Sequence, residues 1–103
     1  MKPVFDDDGF LIDFASWSRS IAIEIAEADG VVLSDEHWQV IGLIRQFYLE
    51  YDHSPAMRPL IKYLRSHTDS ENINSIYLLQ LFPDSPAKLA AKIAGLPKPE
   101  NCL

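Results

Sequence analysis

Residues 34–51 constrain the fold more than any other stretch of this sequence. Ser34 offers an N-cap, and behind it Trp38, Ile41, Ile44, Phe47, Tyr48 and Tyr51 recur at helical spacing. Together they leave the segment apolar around most of its girth. Such a helix cannot turn a broad face to water, so it is expected to be central and buried.

The remaining signals are shorter. Helical spacing begins near residue 17, with Ile21, Ile25 and Ala28 on one face and Gly30 as a stop. Ser54-Pro55 predicts the start of another helix, because proline at the first helical position forfeits no needed hydrogen bond. That helix runs to about residue 67 with Leu60, Ile61 and Leu64 inward, and Pro59 is tolerated only near its first turn. A polar loop over 68–72 leads to a short helix over 74–82, which Pro83 closes. Ser85-Pro86 repeats the cap-and-proline start, a last helix covers 88–94, and Gly95 ends it in the left-handed conformation. At the other end, Val4-Phe5 and Phe10-Leu11-Ile12 flank Asp6-Asp7-Asp8-Gly9, a turn signal that predicts a small β-hairpin. The three aspartates lack the alternating ligand spacing of a calcium loop, so no metal site is expected there. The expected fold is mainly α (α+β): a compact orthogonal helical bundle over residues 1–95 with an N-terminal hairpin, and a mobile C-terminal arm over 96–103.

A chain of 103 residues has room for one core. The net charge of −6 argues against indiscriminate binding to a phosphate backbone. The charge is uneven: residues 1–52 carry eleven acids and three bases, residues 53–103 four acids and six bases. No run approaches the ~20 apolar residues of a membrane span, and the N-terminus lacks a signal-peptide layout. A cytoplasmic location and no membrane partner are expected. The sequence contains one cysteine, Cys102, so no disulfide can form within the chain.

Pro97 and Pro99 keep the arm out of helix and bias it to an extended form. Cys102 lies seven positions beyond Gly95, a reach of roughly 20 Å at ~3.3 Å per residue. Lys98 is a nearby cation that favours the thiolate. On position and chemistry alone Cys102 is an accessible thiol, and an idle one is the commoner case. Gly95, Pro97 and Pro99 set the arm's path. Lys88 and Lys92 share a helix face, ordinarily a solvated one, with docking to an acidic partner or stabilisation of a sulfur anion as the functional reading. Arg58 is either a surface ion-pair member or a partner contact. His37, His53 and His67 lie in different elements without ligand spacing, so no metal is expected, and His37 is expected to face outward. Trp38, Phe47, Tyr48 and Tyr77 are expected in the core. Arg58, Lys62 and Arg65 give the 54–67 helix some likeness to the second element of a helix-turn-helix nucleic-acid-binding module. The net charge opposes that, and no long basic helix follows. A structural interaction domain with an idle cysteine is the other rival.

The segment Leu81-Phe82-Pro83-Asp84-Ser85-Pro86-Ala87-Lys88, the run Lys92-Ile93-Ala94-Gly95-Leu96-Pro97-Lys98-Pro99 and the penultimate Cys102 resemble the C-terminal signature of the DsrC/TusE family of sulfur-relay proteins. Glu36-His37-Trp38, Phe47-Tyr48 and Ser54-Pro55-Ala56 with Arg58 extend the likeness over nearly the whole chain. Members serving dissimilatory sulfite reductase carry a second cysteine just before the Lys-Ile-Ala-Gly run, where this chain has Ala91. The chain is thus similar to the single-cysteine branch. The resemblance implies a persulfide carried on Cys102, received from a TusBCD-type donor complex and passed to an MnmA-like tRNA thiouridylase for 2-thiolation of wobble uridine. It implies no cofactor and only indirect contact with tRNA. The alternative within the family is sulfur trafficking in energy metabolism.

Overall fold

The computed structural model describes residues 3–69 and 72–99. Five α-helices lie among them: α1 Arg19–Ala28, α2 Asp35–Tyr51, α3 Met57–His67, α4 Ser75–Leu81 and α5 Pro86–Ile93, preceded by a 3-10 turn at Phe14–Ser16. Three helices start on side-chain caps: Ser18 accepts from the Ile21 amide, Ser34 from His37 and Asn74 from Tyr77. α1 and α5 end alike. Gly30 (φ 75°) and Gly95 (φ 77°) are left-handed. Each is followed by paired backbone bonds, Gly30 to Glu27 and Val31 to Ala26, Gly95 to Lys92 and Leu96 to Ala91, which satisfy the last carbonyls of the helix.

Four expectations need correcting. The N-terminal hairpin is not formed. Asp6 Oδ1 accepts from the amides of Asp8 and Phe10 and folds a tight turn, but only an isolated antiparallel bridge, Phe5 to Leu11, forms beyond it. Asp13 then caps the 3-10 turn and ends any ladder.

The long helix α2 is not the hub. Leu49 and Tyr51 on it are 72% and 53% exposed, whereas the eight-residue α5 packs against each of the other four helices. Ala87, Ala90 and Ala91 are buried there; with no bulk beyond Cβ, they let four neighbours approach one short helix. Phe10, Ile44, Leu64, Phe82 and Leu96 fill the surrounding core.

His37 faces inward, 7% exposed. Its Nε2 lies 2.7 Å from the Leu81 carbonyl, and its Nδ1 accepts from the Ser34 amide at 3.0 Å. A carbonyl can only accept, so the proton sits on Nε2. The imidazole thereby completes a capping box in the place usually held by Glu or Gln.

Ser54 does not cap α3. The N-cap is Ala56, which has no side-chain hydrogen bond, and α3 begins at Met57. Pro59 is then the third helical residue, where no N–H is required.

Candidate functional site at the root of the C-terminal arm

The last turn of α5 presents the carbonyls of Ile93 and Ala94 beyond the helix's own bonding. Residues far away in sequence take them up. Trp17 Nε1 donates to the Ile93 carbonyl at 2.9 Å, and Arg45 Nη1 to the Ala94 carbonyl at 2.8 Å. The Arg45 guanidinium lies over the rings of Phe14 and Trp17, 3.9 and 4.0 Å from their centroids. Burial lowers its pKa from the ordinary arginine value, and the two aromatic faces offset part of the lost hydration. A Cβ on Gly95 would lie 2.5 Å from Trp17 Cδ1. Glycine is required there twice over, for its positive φ and for the ring against it.

Beyond Gly95 the chain stays in contact with the domain. Leu96 is fully buried, the Ser54 hydroxyl donates to the Pro97 carbonyl, and Pro99 is buried. Lys98 Nζ lies 3.6 Å from Asp8 Oδ2, with both side chains largely exposed; such a pair is weak and easily exchanged. Beside this path lies a groove of about 620 Å³ lined by Asp52, His53, Ser54, Ala56, Pro59, Pro97 and Lys98.

The expected site residues therefore divide. Gly95, Pro97 and Lys98 come together at the root of the arm. Lys92 points the other way and pairs with Asp29 at 2.9 Å, against the turn at Gly9. Lys88 is half-buried on α5 with no ion-pair partner among the described residues. Arg58 is exposed at the start of α3, in a second groove with Ile61, Lys62, Arg65 and Ser66. Cys102 lies outside the described residues. Sequence reading missed Trp17, Arg45 and Ser54 as the residues that hold the root. Trp17 and Arg45 sit 76 and 49 positions from their partners and carry no local signal, and Ser54 carried the signal of a cap.

The family model for DsrC like protein matches residues 2–103. The chain belongs to this family. Among its relatives, the sulfurtransferase TusE of Shigella dysenteriae serotype 1 is 50% identical over 98 residues, covering 95% of this chain and 90% of that one. The sulfurtransferase TusE of Escherichia coli strain K12 is 49% identical with the same coverage. Among solved structures, the NMR structure of Allochromatium vinosum DsrC superposes with a TM-score of 0.89 at 40% identity, over 98% of this chain and 90% of that one. The oxidized gamma-subunit of the dissimilatory sulfite reductase (DsrC) from Archaeoglobus fulgidus superposes at 0.85 and 35%, over 100% and 94%.

Proposed function

We propose that this protein is a sulfurtransferase of the carrier kind, acting in the sulfur relay that thiolates tRNA. It takes persulfide sulfur onto Cys102 from a TusBCD-type donor and delivers it to an MnmA-like thiouridylase in the cytoplasm. The observation that carries this reading is identity of about half over nearly the whole chain to proteins named sulfurtransferase TusE. The single cysteine agrees with it: Ala91 stands where the two-cysteine branch has its second sulfur, and it is fully buried. That absence also disfavours the redox-cycling alternative of sulfur energy metabolism.

The chemistry balances without a cofactor. The Cys102 thiolate attacks the outer sulfur of a donor cysteine persulfide, the donor S–S bond breaks, and the donor leaves as a thiolate. Cys102 then holds the sulfane sulfur as Cys–S–SH. A thiolate on the acceptor repeats the attack and releases the Cys102 thiolate, so nothing is oxidised or reduced overall. On this reading the contacts of Leu96, Pro97 and Pro99 hold the root from which the chain continues to Cys102. Cys102 lies three positions beyond Pro99, at most about 10 Å of extended chain. The Lys98 ammonium, in its exposed pair with Asp8, is free to exchange toward a sulfur anion. No helix among the described residues is long and apolar enough to cross a membrane.

The nucleic-acid rival loses support. α4, the helix after α3, has seven residues and no Lys or Arg, and Arg65 Nε is committed to the Ile73 carbonyl. The deciding experiment is intact mass spectrometry after incubation with a cysteine desulfurase, cysteine and the upstream relay proteins. One added sulfur is expected, removable by reductant and absent in Cys102→Ser. An unchanged mass under these conditions refutes the carrier reading.

A further inference from the structure

Resting on the carrier reading, we propose that the groove on the exposed face of α3 is where a relay partner protein docks, through a segment that is both acidic and apolar. The groove is lined by Arg58, Ile61, Lys62, Arg65 and Ser66, with a volume of about 460 Å³. These positions recur three and four apart, so they form one stripe along the helix. Arg58 and Lys62 are both exposed, and neither pairs with a carboxylate among the described residues, although the chain holds fifteen acids against nine bases.

Three observations favour an acidic protein segment as the occupant. Arg65 is held by the Ile73 carbonyl at 2.7 Å, which leaves two cations one turn apart, about 6 Å along the axis. The net charge of −6 opposes a long polyanion as the occupant of this face. Ile61 sits between the cations, half-buried, and offers an apolar contact that a phosphate backbone has no use for. The groove also adjoins the root of the arm: Pro59 lines the neighbouring groove with Pro97 and Lys98, while Arg58 beside it lines this one. A partner seated on α3 is therefore placed beside the root of the arm at Pro97 and Lys98. Opposite charges across such a contact chiefly steer encounter and fix register.

The test measures docking without transfer. In the Cys102→Ser background, binding to the purified donor complex and to the thiouridylase is compared for the unaltered groove and for Arg58→Glu/Lys62→Glu. Affinity for at least one of them is expected to fall roughly tenfold, the sum of two modest ion pairs, and the difference is expected to shrink as salt screens it. Helical circular dichroism checks the fold. If the reversal does not fold, Arg58→Gln/Lys62→Gln gives the same readout with a smaller drop. Unchanged affinity for both proteins overturns the proposal, as does a loss confined to binding of naked tRNA, which would make the face a phosphate site. Loading of Cys102 by glutathione persulfide is read separately. Its failure counts against the carrier reading and leaves the docking result standing, because docking needs no thiol.

Discussion

The start of α2 and the root of the C-terminal arm are both tightly held, by opposite means. At α2 the hold is local: Ser34 and His37, three positions apart, satisfy each other's backbone groups. At the root it is long-range: Trp17, Arg45 and Ser54 reach across 76, 49 and 43 positions to the carbonyls of Ile93, Ala94 and Pro97. Ser34 and Ser54 make the contrast sharp, since both precede helices and look alike in sequence. One caps its helix and the other ties down the arm. A local hold costs little chain entropy and forms with its helix, whereas a long-range one exists only once the domain has closed.

Breaking the root should therefore do more damage than breaking the cap. Gly95→Ala is expected to have the largest effect. A left-handed alanine costs about 1–2 kcal/mol, and moving Trp17 forfeits its hydrogen bond for about 1 kcal/mol more. In total, about 2–3 kcal/mol should lower the midpoint of thermal unfolding by roughly 15 °C. Next comes Arg45→Met, which leaves the Ala94 carbonyl unpaired and removes the guanidinium from two rings, for about 2 kcal/mol in urea unfolding. A loss below that of the cap variant would refute the long-range account.

The two serines should each cost about 1 kcal/mol as alanine, and hydrogen exchange separates them. Ser34→Ala should speed exchange in the first turn of α2. Ser54→Ala should leave α3 unchanged and speed exchange at Leu96 and Lys98. Faster exchange in the first turn of α3 would show that Ser54 is a cap after all.

The smallest effect lies away from both regions and calibrates them. Burial, then the hydrogen bond to Glu50, raises the Tyr63 pKa above its ordinary value. The neutral phenol is the form the fold favours. Its contribution is complete below the ordinary tyrosine pKa and is lost as pH rises through the raised one. Tyr63→Phe should flatten the alkaline limb of stability against pH and leave the neutral region nearly unchanged. An identical alkaline limb in the variant would assign that limb to other groups.

Much of the helical outline was legible in the sequence because helix ends are written locally. Ser34 and Pro86 announce starts, and Gly30 and Gly95 announce stops. The hairpin failed because Asp-Gly specifies a turn, while strand pairing depends on the residues beyond the turn, and here Asp13 sends the chain aside. The central role of α2 failed because girth alone does not say what packs around it. His37 was misread because a first-turn position gives no hint of a carbonyl 44 positions away.

The sequence by itself determined the helices, their ends, the family signature and the lone thiol, since each depends on neighbours within a few residues or on residue identity. Only the tertiary structure decided that α5 is the hub, that His37 turns inward and that the arm is clamped through Pro99. Those outcomes rest on which distant donor meets which unsatisfied carbonyl, and no local pattern carries that information.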